Sequence, residues 1–213
     1  ANKLGIKRFI FISSIGVHGY KSKEFEVFNE NSKYNVYDDY SSFKMNAEKQ
    51  LIKYSKINET ELVILRPALV YGKNAPGNFK LLTKLVDKIK FFPISKTKNS
   101  RSFIYIHNLV SAITRSLEYP IISPKTFVIA DKETISTEEL ILLIGKSRNK
   151  PILILKIPLL LFFLLKKIPF FSRRISQLID NLVVDSSKFC NAMDWNQPYS
   201  QIQSLKKSFQ DST

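Results

Sequence analysis

The chain has 213 residues and a formal net charge of +15, from 33 lysine and arginine against 18 aspartate and glutamate side chains. Its single cysteine excludes an internal disulfide and fits a reducing compartment, so we expect a cytoplasmic protein. Two histidines far from that cysteine predict no metal site, and lysines scattered without an aromatic-interleaved basic block predict no nucleic-acid partner.

The amino-terminal third predicts a strand, a loop and a helix. Residues 7–12 are expected to form a strand, because their continuous apolar run is typical of a buried parallel strand. Residues 20–37 are polar and without periodicity, which indicates a loop. Asp38 or Asp39 then caps a helix. The predicted buried face of this helix is formed by Phe43, Ala47, Leu51 and Tyr54.

The rest of the chain alternates strands with helices. Strands are predicted at residues 61–65, 103–106, 126–130 and 152–155, and helices at 79–90, 108–117, 137–146, 187–193 and 200–209. Ser136 and Glu139 match a capping box. This alternation predicts an α/β fold, the C-terminal part of a doubly wound (Rossmann-like) parallel sheet with a small mixed α/β substrate lobe.

The most hydrophobic stretch is residues 157–165, which raises the question of a membrane segment. Its nine residues are too few to span a bilayer, which takes roughly twenty apolar residues. A helix packed in the smaller lobe is the favoured interpretation. A peripheral membrane contact, helped by Lys166 and Lys167 nearby, is the alternative.

Tyr40 and Lys44 form a pair with a chemical use. Four residues apart on a helix, they share one face, and a neighbouring ammonium favours the phenolate. A tyrosine tuned in this way can act as a general acid or base. Ser13 and Ser14 follow the first predicted strand at its carboxyl end, where open α/β sheets have their sites. The sequence therefore predicts that the serines and the tyrosine–lysine pair share one site.

These residues resemble the extended short-chain dehydrogenases/reductases, in the NAD-dependent epimerase/dehydratase branch that acts on nucleotide sugars. The resemblance is carried, in order, by residues 11–19, 40–44, 65–72 and 101–110. In that family an N-terminal glycine-rich turn holds the cofactor pyrophosphate, and the chain contains no Gly-x-x-Gly-x-x-Gly or Gly-x-Gly-x-x-Gly. The expectation is that the family's first third is missing.

This expectation defines the domains. Residues 1–72 are predicted to be the remaining part of the dinucleotide-binding domain. Residues 73–213 are predicted to be mostly a nucleotide-sugar lobe, with segments that return to the Rossmann sheet. With the first strands missing, the apolar strand at residues 9–12 would have an unpaired edge, which predicts aggregation or a homodimer.

The resemblance implies catalytic and cofactor-binding roles. Ser14 aligns with the catalytic serine, Tyr40 with the acid/base tyrosine, and Lys44 with the lysine that holds the nicotinamide ribose and tunes the tyrosine. Ser13, Tyr40, Lys44 and Pro67 are the implied contacts of the cofactor, NAD or NADP. Without the family, Ser13 and Ser14 have the ordinary alternative of strand-end turn chemistry.

Substrate-binding roles follow in the same way. Ser14 is expected to hold the reacting sugar oxygen, while Asn78, at a helix amino end, and Arg101 align with residues that grip the nucleotide diphosphate. Phe92 falls where the family passes a loop beside the base. The implied substrate is a nucleotide-diphosphate sugar, and we expect the nucleotide to be UDP.

The implied activity is hydride transfer at C4 of that sugar, as a 4-epimerase or a 4-ketoreductase, for polysaccharide or cell-surface glycan biosynthesis. Leu69 stands where many sugar 4-epimerases place an asparagine, which favours the ketoreductase. A dehydratase would need an acidic residue beside Ser14, where Ile15 stands. The alternative from another class is a non-catalytic binding or membrane-surface protein that keeps a truncated fold. The sequence leaves open the sugar and the choice between NAD and NADP.

Overall fold

The structure is a computed structural model, and it describes residues 5–23, 26–57, 60–73, 75, 78–95, 99–120, 125–158 and 180–210. Most of the apolar stretch at residues 157–165 therefore lies outside the described residues, and so does its predicted helix. Within the described ranges, no helix has the length and hydropathy needed to cross a membrane.

The strands and helices follow each other along the chain in the predicted alternation. The strands are β1 (Arg8–Ile12), β2 (Val27–Phe28), β3 (Glu61–Pro67), β4 (Leu69–Tyr71), β5 (Phe91–Ser95), β6 (Arg101–Tyr105), β7 (Lys125–Ile129), β8 (Thr134–Ile135), β9 (Leu153–Ile157) and β10 (Val183–Val184). The helices are α1 (Asp39–Ile57), α2 (Asn78–Lys88), α3 (Ile106–Glu118), α4 (Thr137–Ser147), α5 (Ser187–Met193) and α6 (Gln201–Gln210). A 3-10 turn, Ile15–His18, follows β1.

The central sheet has the strand order β1-β3-β7, and both pairings are parallel. β3 is the middle strand and is buried along almost its whole length, as expected for a strand covered on both faces. Its Val63 and Leu65 pack with Phe127 of β7, with α3 and with α5 in one hydrophobic core. The predicted α/β fold with a Rossmann-like parallel sheet is confirmed.

Smaller sheets surround the central one. β4 pairs with β6 in parallel and β6 with β8 in antiparallel, while β5 pairs with β9 and β2 with β10 in parallel. β2 lies inside the predicted loop at residues 20–37, and it escapes prediction because a two-residue strand has no measurable periodicity. β5 was not predicted because Pro93 interrupts its strand pattern. Proline is tolerated there because β5 has only one described neighbour, β9.

A second hydrophobic core lies beneath α2, α4 and α6. Its largest buried side chains include Tyr71, Phe79 and Phe92. Helix α4 enters this core from the predicted capping box, in which Ser136 accepts from the backbone N–H of Glu139 and the Glu139 carboxylate accepts in return. The boundary predicted between residues 72 and 73 stays a prediction, although β7 returns to the central sheet from beyond it.

The predicted buried face of α1 is wrong at its two aromatic residues, although Ala47 and Leu51 are half-buried. Phe43 is 72% exposed and Tyr54 is 51% exposed, whereas Ser41 and Glu48 are buried. The physical reason is a charge pair: Glu48 on the buried face meets Arg66 of β3, and each compensates for the desolvation of the other. A hydropathy pattern cannot detect such a face.

Candidate active site

The first element of the site is the turn that follows β1. The backbone N–H of Ser13 donates to the carbonyl oxygen of Leu65 at 2.7 Å, so Ser13 still belongs to the register of the central sheet. Ser14 then caps the 3-10 turn, because its Oγ accepts from the backbone N–H of Gly16 at 3.0 Å. Both serines therefore lie at the carboxyl end of β1, as predicted from the sequence.

Gly16 permits the helix α1 to approach this turn closely. A Cβ atom on Gly16 would lie 2.9 Å from Ser41 Oγ and 3.2 Å from Ser14 Oγ, closer than packed atoms normally come. The start of α1 therefore rests directly on the turn that carries Ser14. A larger residue at position 16 would have to displace the Ser41 hydroxyl.

Tyr40 and Lys44 occupy the first turns of α1. Asp38 caps the helix by accepting from the backbone N–H of Ser41 at 2.8 Å, which confirms one of the two predicted caps. Lys44 Nζ donates to the carbonyl oxygen of Ile12 at 2.8 Å and lies 5.8 Å from the centre of the Tyr40 ring. The ammonium thus stands between the tyrosine and the end of β1.

A cavity of about 970 Å³ brings several of the predicted site residues together, while Lys44 is not among the described residues of its wall. Its walls include Ser13, Ser14, Tyr40, Pro67 and Arg101. The volume lies in the range of pockets that hold a small-molecule ligand. Chemically, the cavity presents hydroxyl groups and a phenol at one end and a guanidinium elsewhere on its wall.

Arg101, the first residue of β6, supplies a buried cation to this cavity. Its side chain is 5% exposed, and its Nη1 donates to the carbonyl oxygen of Asp180 at 2.7 Å. Burial lowers the pKa of Arg101 to about 10, while Asp180 acts in the opposite direction, so the group keeps its charge at neutral pH. Lys84 and Lys88 of α2 line the same cavity, which therefore favours an anionic ligand.

Two further predicted substrate contacts are placed differently. Asn78 is the first residue of α2, and its side chain lies outside the described residues. Phe92 is 2% exposed and packs in the core with Phe79 and Val86, and it is absent from the described wall of the cavity. The expected contact of Phe92 with a base stays a prediction.

A buried ionic network behind the site was not predicted. Arg66 Nε and Nη2 donate to the Glu48 carboxylate at 3.0 and 2.6 Å, and Arg66 Nη2 also donates to Tyr34 Oη at 2.8 Å. Tyr34 Oη in turn donates to Glu48 at 2.9 Å. Arg66 Nη1 lies 2.9 Å from His18 Nε2. The only signal in the sequence was a glutamate on the helix and an arginine at a strand end.

The network changes the titration of its members. Burial is the largest influence on Glu48 and by itself would raise its pKa, but the hydrogen bonds from Arg66, Ser13 and Tyr34 and the charge of Arg66 together hold the pKa below its usual value. Burial lowers the pKa of His18, and the charge of Arg66 lowers it further. At neutral pH the network therefore contains an ionised Glu48, a charged Arg66 and a neutral His18.

The part of the chain that the structure describes contains no group of three or more histidine, cysteine, aspartate or glutamate side chains that could hold a metal ion. The arrangement at Ser14, Tyr40 and Lys44 is instead suited to moving a proton at an oxygen atom of a bound ligand.

The chain is similar to proteins of one family. A family model described as the NAD dependent epimerase/dehydratase family matches residues 1–130. The UDP-glucose 4-epimerase of Vibrio cholerae is 34% identical over 207 residues, which are 97% of this chain and 63% of that protein. The chain thus spans less than two thirds of this relative.

Solved structures show the same fold. The UDP-glucose 4-epimerase of Thermus thermophilus, in complex with NAD, superposes with a TM-score of 0.74 at 15% identity, covering 100% of this chain and 67% of that one. The UDP-glucose 4-epimerase of Thermotoga maritima, with UDP-glucose, superposes with a TM-score of 0.73 at 18% identity, covering 98% and 64%. At these identities the likeness concerns the fold alone.

Proposed function

The chain belongs to the NAD dependent epimerase/dehydratase family, and from this membership we propose that the protein transfers a hydride at C4 of a nucleotide-linked sugar. The proposed substrate is a UDP-sugar, and NAD or NADP is the proposed carrier of the hydride. The observation that carries the proposal is the shared cavity: Ser14 from the end of β1 and Tyr40 from α1 line one space, with Lys44 beside the phenol.

In this proposal Tyr40 is the general acid/base. Its phenol removes the proton from the sugar 4-hydroxyl when C4 is oxidised and returns a proton when the 4-keto group is reduced. Lys44 places its ammonium beside this phenol, 5.8 Å from the ring centre. The Ser14 hydroxyl holds the same sugar oxygen by a hydrogen bond. Together they fix the proton transfer at one atom of the substrate.

The residues at this end of the cavity fit a nicotinamide cofactor. The donor set consists of the Tyr40 phenol and the Lys44 ammonium, which would hold ribose hydroxyls, while Ser13, whose hydroxyl is buried, and Pro67 form part of the wall. When bound, NAD or NADP supplies the redox chemistry by accepting or donating the hydride. The chain's own residues orient the sugar and move the proton.

Arg101 is the proposed partner of the substrate diphosphate. A guanidinium can donate two parallel hydrogen bonds to phosphate oxygens, and its burial in the wall fixes its direction. Lys84 and Lys88 add positive charge to the same cavity. Asn78, at the amino end of α2, is proposed as a second diphosphate contact on the strength of the family alignment and the helix dipole.

Two observations bear on the choice between a 4-epimerase and a 4-ketoreductase, and they point in opposite directions. The relative at 34% identity is a UDP-glucose 4-epimerase, which supports the first. Leu69 lines the cavity at the position where many sugar 4-epimerases have an asparagine, which supports the second. Both activities share the hydride transfer at C4, so the central proposal is the same for either outcome.

We also propose where the enzyme acts and how it assembles. We place it in the cytoplasm, in the biosynthesis of polysaccharide or cell-surface glycan, and as a homodimer. Exposed apolar side chains such as Phe43 on α1 support an association of two copies. A binding protein that keeps the fold without the cofactor is the competing proposal.

The test is a product assay on the complete encoded protein. We would incubate it with UDP-glucose or UDP-N-acetylglucosamine and NAD, and separately with a UDP-4-keto sugar and NADH or NADPH, and analyse the sugar by proton NMR. Formation of the C4 epimer or of the reduced sugar supports the proposal. Absence of both products, in a protein that still binds UDP, favours the binding protein.

A further inference from the structure

One guanidinium joins the two elements that carry the proposed proton-transfer groups. Arg66 binds the Glu48 carboxylate through Nε and Nη2, and Glu48 is eight residues after Tyr40 on α1. The third nitrogen of the same side chain, Nη1, lies 2.9 Å from Nε2 of His18, which is four residues after Ser14 in the 3-10 turn. Arg66 therefore touches both sides of the site from behind.

The contacts fix the tautomer of His18. Its Nδ1 lies 3.1 Å from the carbonyl oxygen of Lys33, and a carbonyl oxygen can only accept. Nδ1 must then carry the hydrogen, which leaves Nε2 as an acceptor for the N–H of Arg66. The arrangement holds together only while the imidazole is neutral.

Arg66 itself is absent from the described wall of the cavity. It is 4% exposed and its partner Glu48 is fully buried, so this pair has little freedom to move. We propose that Arg66 is a positioning residue, which sets the distance between the Ser14 hydroxyl and the Tyr40 phenol by holding Glu48 of α1 and His18 of the turn at once. The proposal rests on the proposed function, because it assigns Arg66 a part in the same proton transfer.

Protonation of His18 would break this arrangement. Nε2 would become a donor that faces the Arg66 donor, and two positive charges would meet in a buried place. The other charged or titratable groups around the ring are Glu48 and Tyr34. Farther out, Lys49 lies over the Tyr34 ring, while Glu30 meets Arg66 through its backbone carbonyl oxygen and its carboxylate accepts from the backbone N–H of Val128. Because burial lowers the pKa of His18, the turn is released only below the usual titration range of histidine.

A matched control exists at the other end of the same strands. Arg8 also bridges β1 and β3, through an ion pair with Glu61 at 2.7 Å, and it donates to carbonyl oxygens at the end of α3. Arg8 and Glu61 are the first pair in the register of these strands, so they lie away from Ser14. Arg8→Lys and Arg66→Lys both remove a guanidinium bridge, but only Arg66 contacts the 3-10 turn after Ser14 and the helix of Tyr40.

The first test needs no activity and uses the complete encoded protein. Nitrogen-15 NMR of the imidazoles would identify the tautomer, and the loss of signals in His18→Gln assigns those of this ring. We expect a neutral, Nδ1-protonated His18 that titrates below its usual pKa. In Arg66→Lys its pKa should rise, while Arg8→Lys leaves it unchanged. The proposal is overturned if the ring of His18 is protonated at Nε2, or if the pKa of His18 is the same in Arg66→Lys as in the wild type.

The second test uses the complete encoded protein. Arg66→Lys should lower kcat by about tenfold to a hundredfold, as a small misplacement of reacting groups does, while the Kd for UDP changes little. The acid limb of kcat should vanish in His18→Gln. Equal losses of kcat in Arg66→Lys and Arg8→Lys, in proportion to their losses in Tm, would make Arg66 merely structural. If the wild type has no activity at C4, the proposed function fails, while the NMR result still decides whether the network exists.

Discussion

Lys44 Nζ lies 2.8 Å from the carbonyl oxygen of Ile12, the last residue of β1. This bond ties the helix of the tyrosine to the strand that delivers the serines. It also keeps the ammonium within 5.8 Å of the Tyr40 ring centre. One lysine thus connects the two elements of the site.

The first prediction concerns the phenol. In the complete encoded protein, Tyr40→Phe should lower kcat by at least about a hundredfold, because it removes the general acid/base and leaves the cavity its shape. The Kd for NAD should change far less than kcat, because the phenol supplies only one of the proposed hydrogen bonds to the ribose. Stopped assays of product and calorimetry with NAD would measure the two quantities on the same sample.

Lys44→Ala is the matched comparison for Tyr40→Phe. It removes both the charge beside the phenol and a proposed contact of the nicotinamide ribose, so kcat and the Kd for NAD should both suffer. The bond to Ile12 is lost as well, at a cost of about 1 kcal/mol in the free energy of unfolding. Equal losses of NAD affinity in the two variants would contradict the separate roles.

The second prediction concerns Asp131, a buried carboxylate beneath β4 and β6. It accepts hydrogen bonds from Tyr71 Oη, Asn108 Nδ2 and the backbone N–H of Tyr105 at 3.0, 2.8 and 3.1 Å. Burial nevertheless raises its pKa to about 6 from 3.8. The folded state thus holds this proton more tightly than the unfolded state, and the carboxyl group costs stability once it is ionised.

The sign of the effect follows. As the pH rises from about 3 to about 7, the contribution of Asp131 to the free energy of unfolding should fall by about 3 kcal/mol. Asp131→Asn should lack this slope, and denaturant melts across that range would measure the difference. Asp194→Asn is the control, since that side chain is 80% exposed. A wild-type slope in Asp131→Asn would refute the assignment.

The third prediction concerns the 213-residue chain alone. We expect no tight binding of NADH, because a dinucleotide pyrophosphate needs backbone N–H groups at a helix start reached through a glycine turn, and the sequence has none. We expect weak binding of UDP through Arg101, reduced about tenfold in Arg101→Lys, which keeps the charge but loses the fork. Calorimetry measures both. Micromolar binding of NADH without binding of UDP would overturn the diphosphate assignment.

Much of the architecture was accessible from the sequence because it depends on local signals. The apolar run before Ser13, the capping box at Ser136 and the strand–helix alternation each leave a pattern within a few residues. The spacing of Tyr40 and Lys44 indicated the site for the same reason, and the structure adds that Ser14 lines the cavity with Tyr40.

What could not be predicted depends on partners far apart in the chain. The buried face of α1 is decided by the pair of Glu48 and Arg66, which are 18 residues apart. Because Glu48 is charged, the hydropathy pattern of the sequence places this face of the helix in solvent. The two-residue pairing of β2 with β10 joins Val27 to Val183 and has no periodicity of its own. Such contacts are fixed by tertiary packing, which no local pattern records.

The measurement that tests the central proposal most directly is the fate of the hydrogen at C4. We would incubate the complete encoded protein with UDP-glucose deuterated at C4 and with NAD, and locate the deuterium by NMR and mass spectrometry. Hydride transfer predicts deuterium at C4 of the epimerised sugar, or on the nicotinamide ring if the enzyme is a dehydrogenase, and neither in Tyr40→Phe. A product whose C4 deuterium has been lost to water would contradict it, as would no reaction with any UDP-sugar or UDP-4-keto sugar tested.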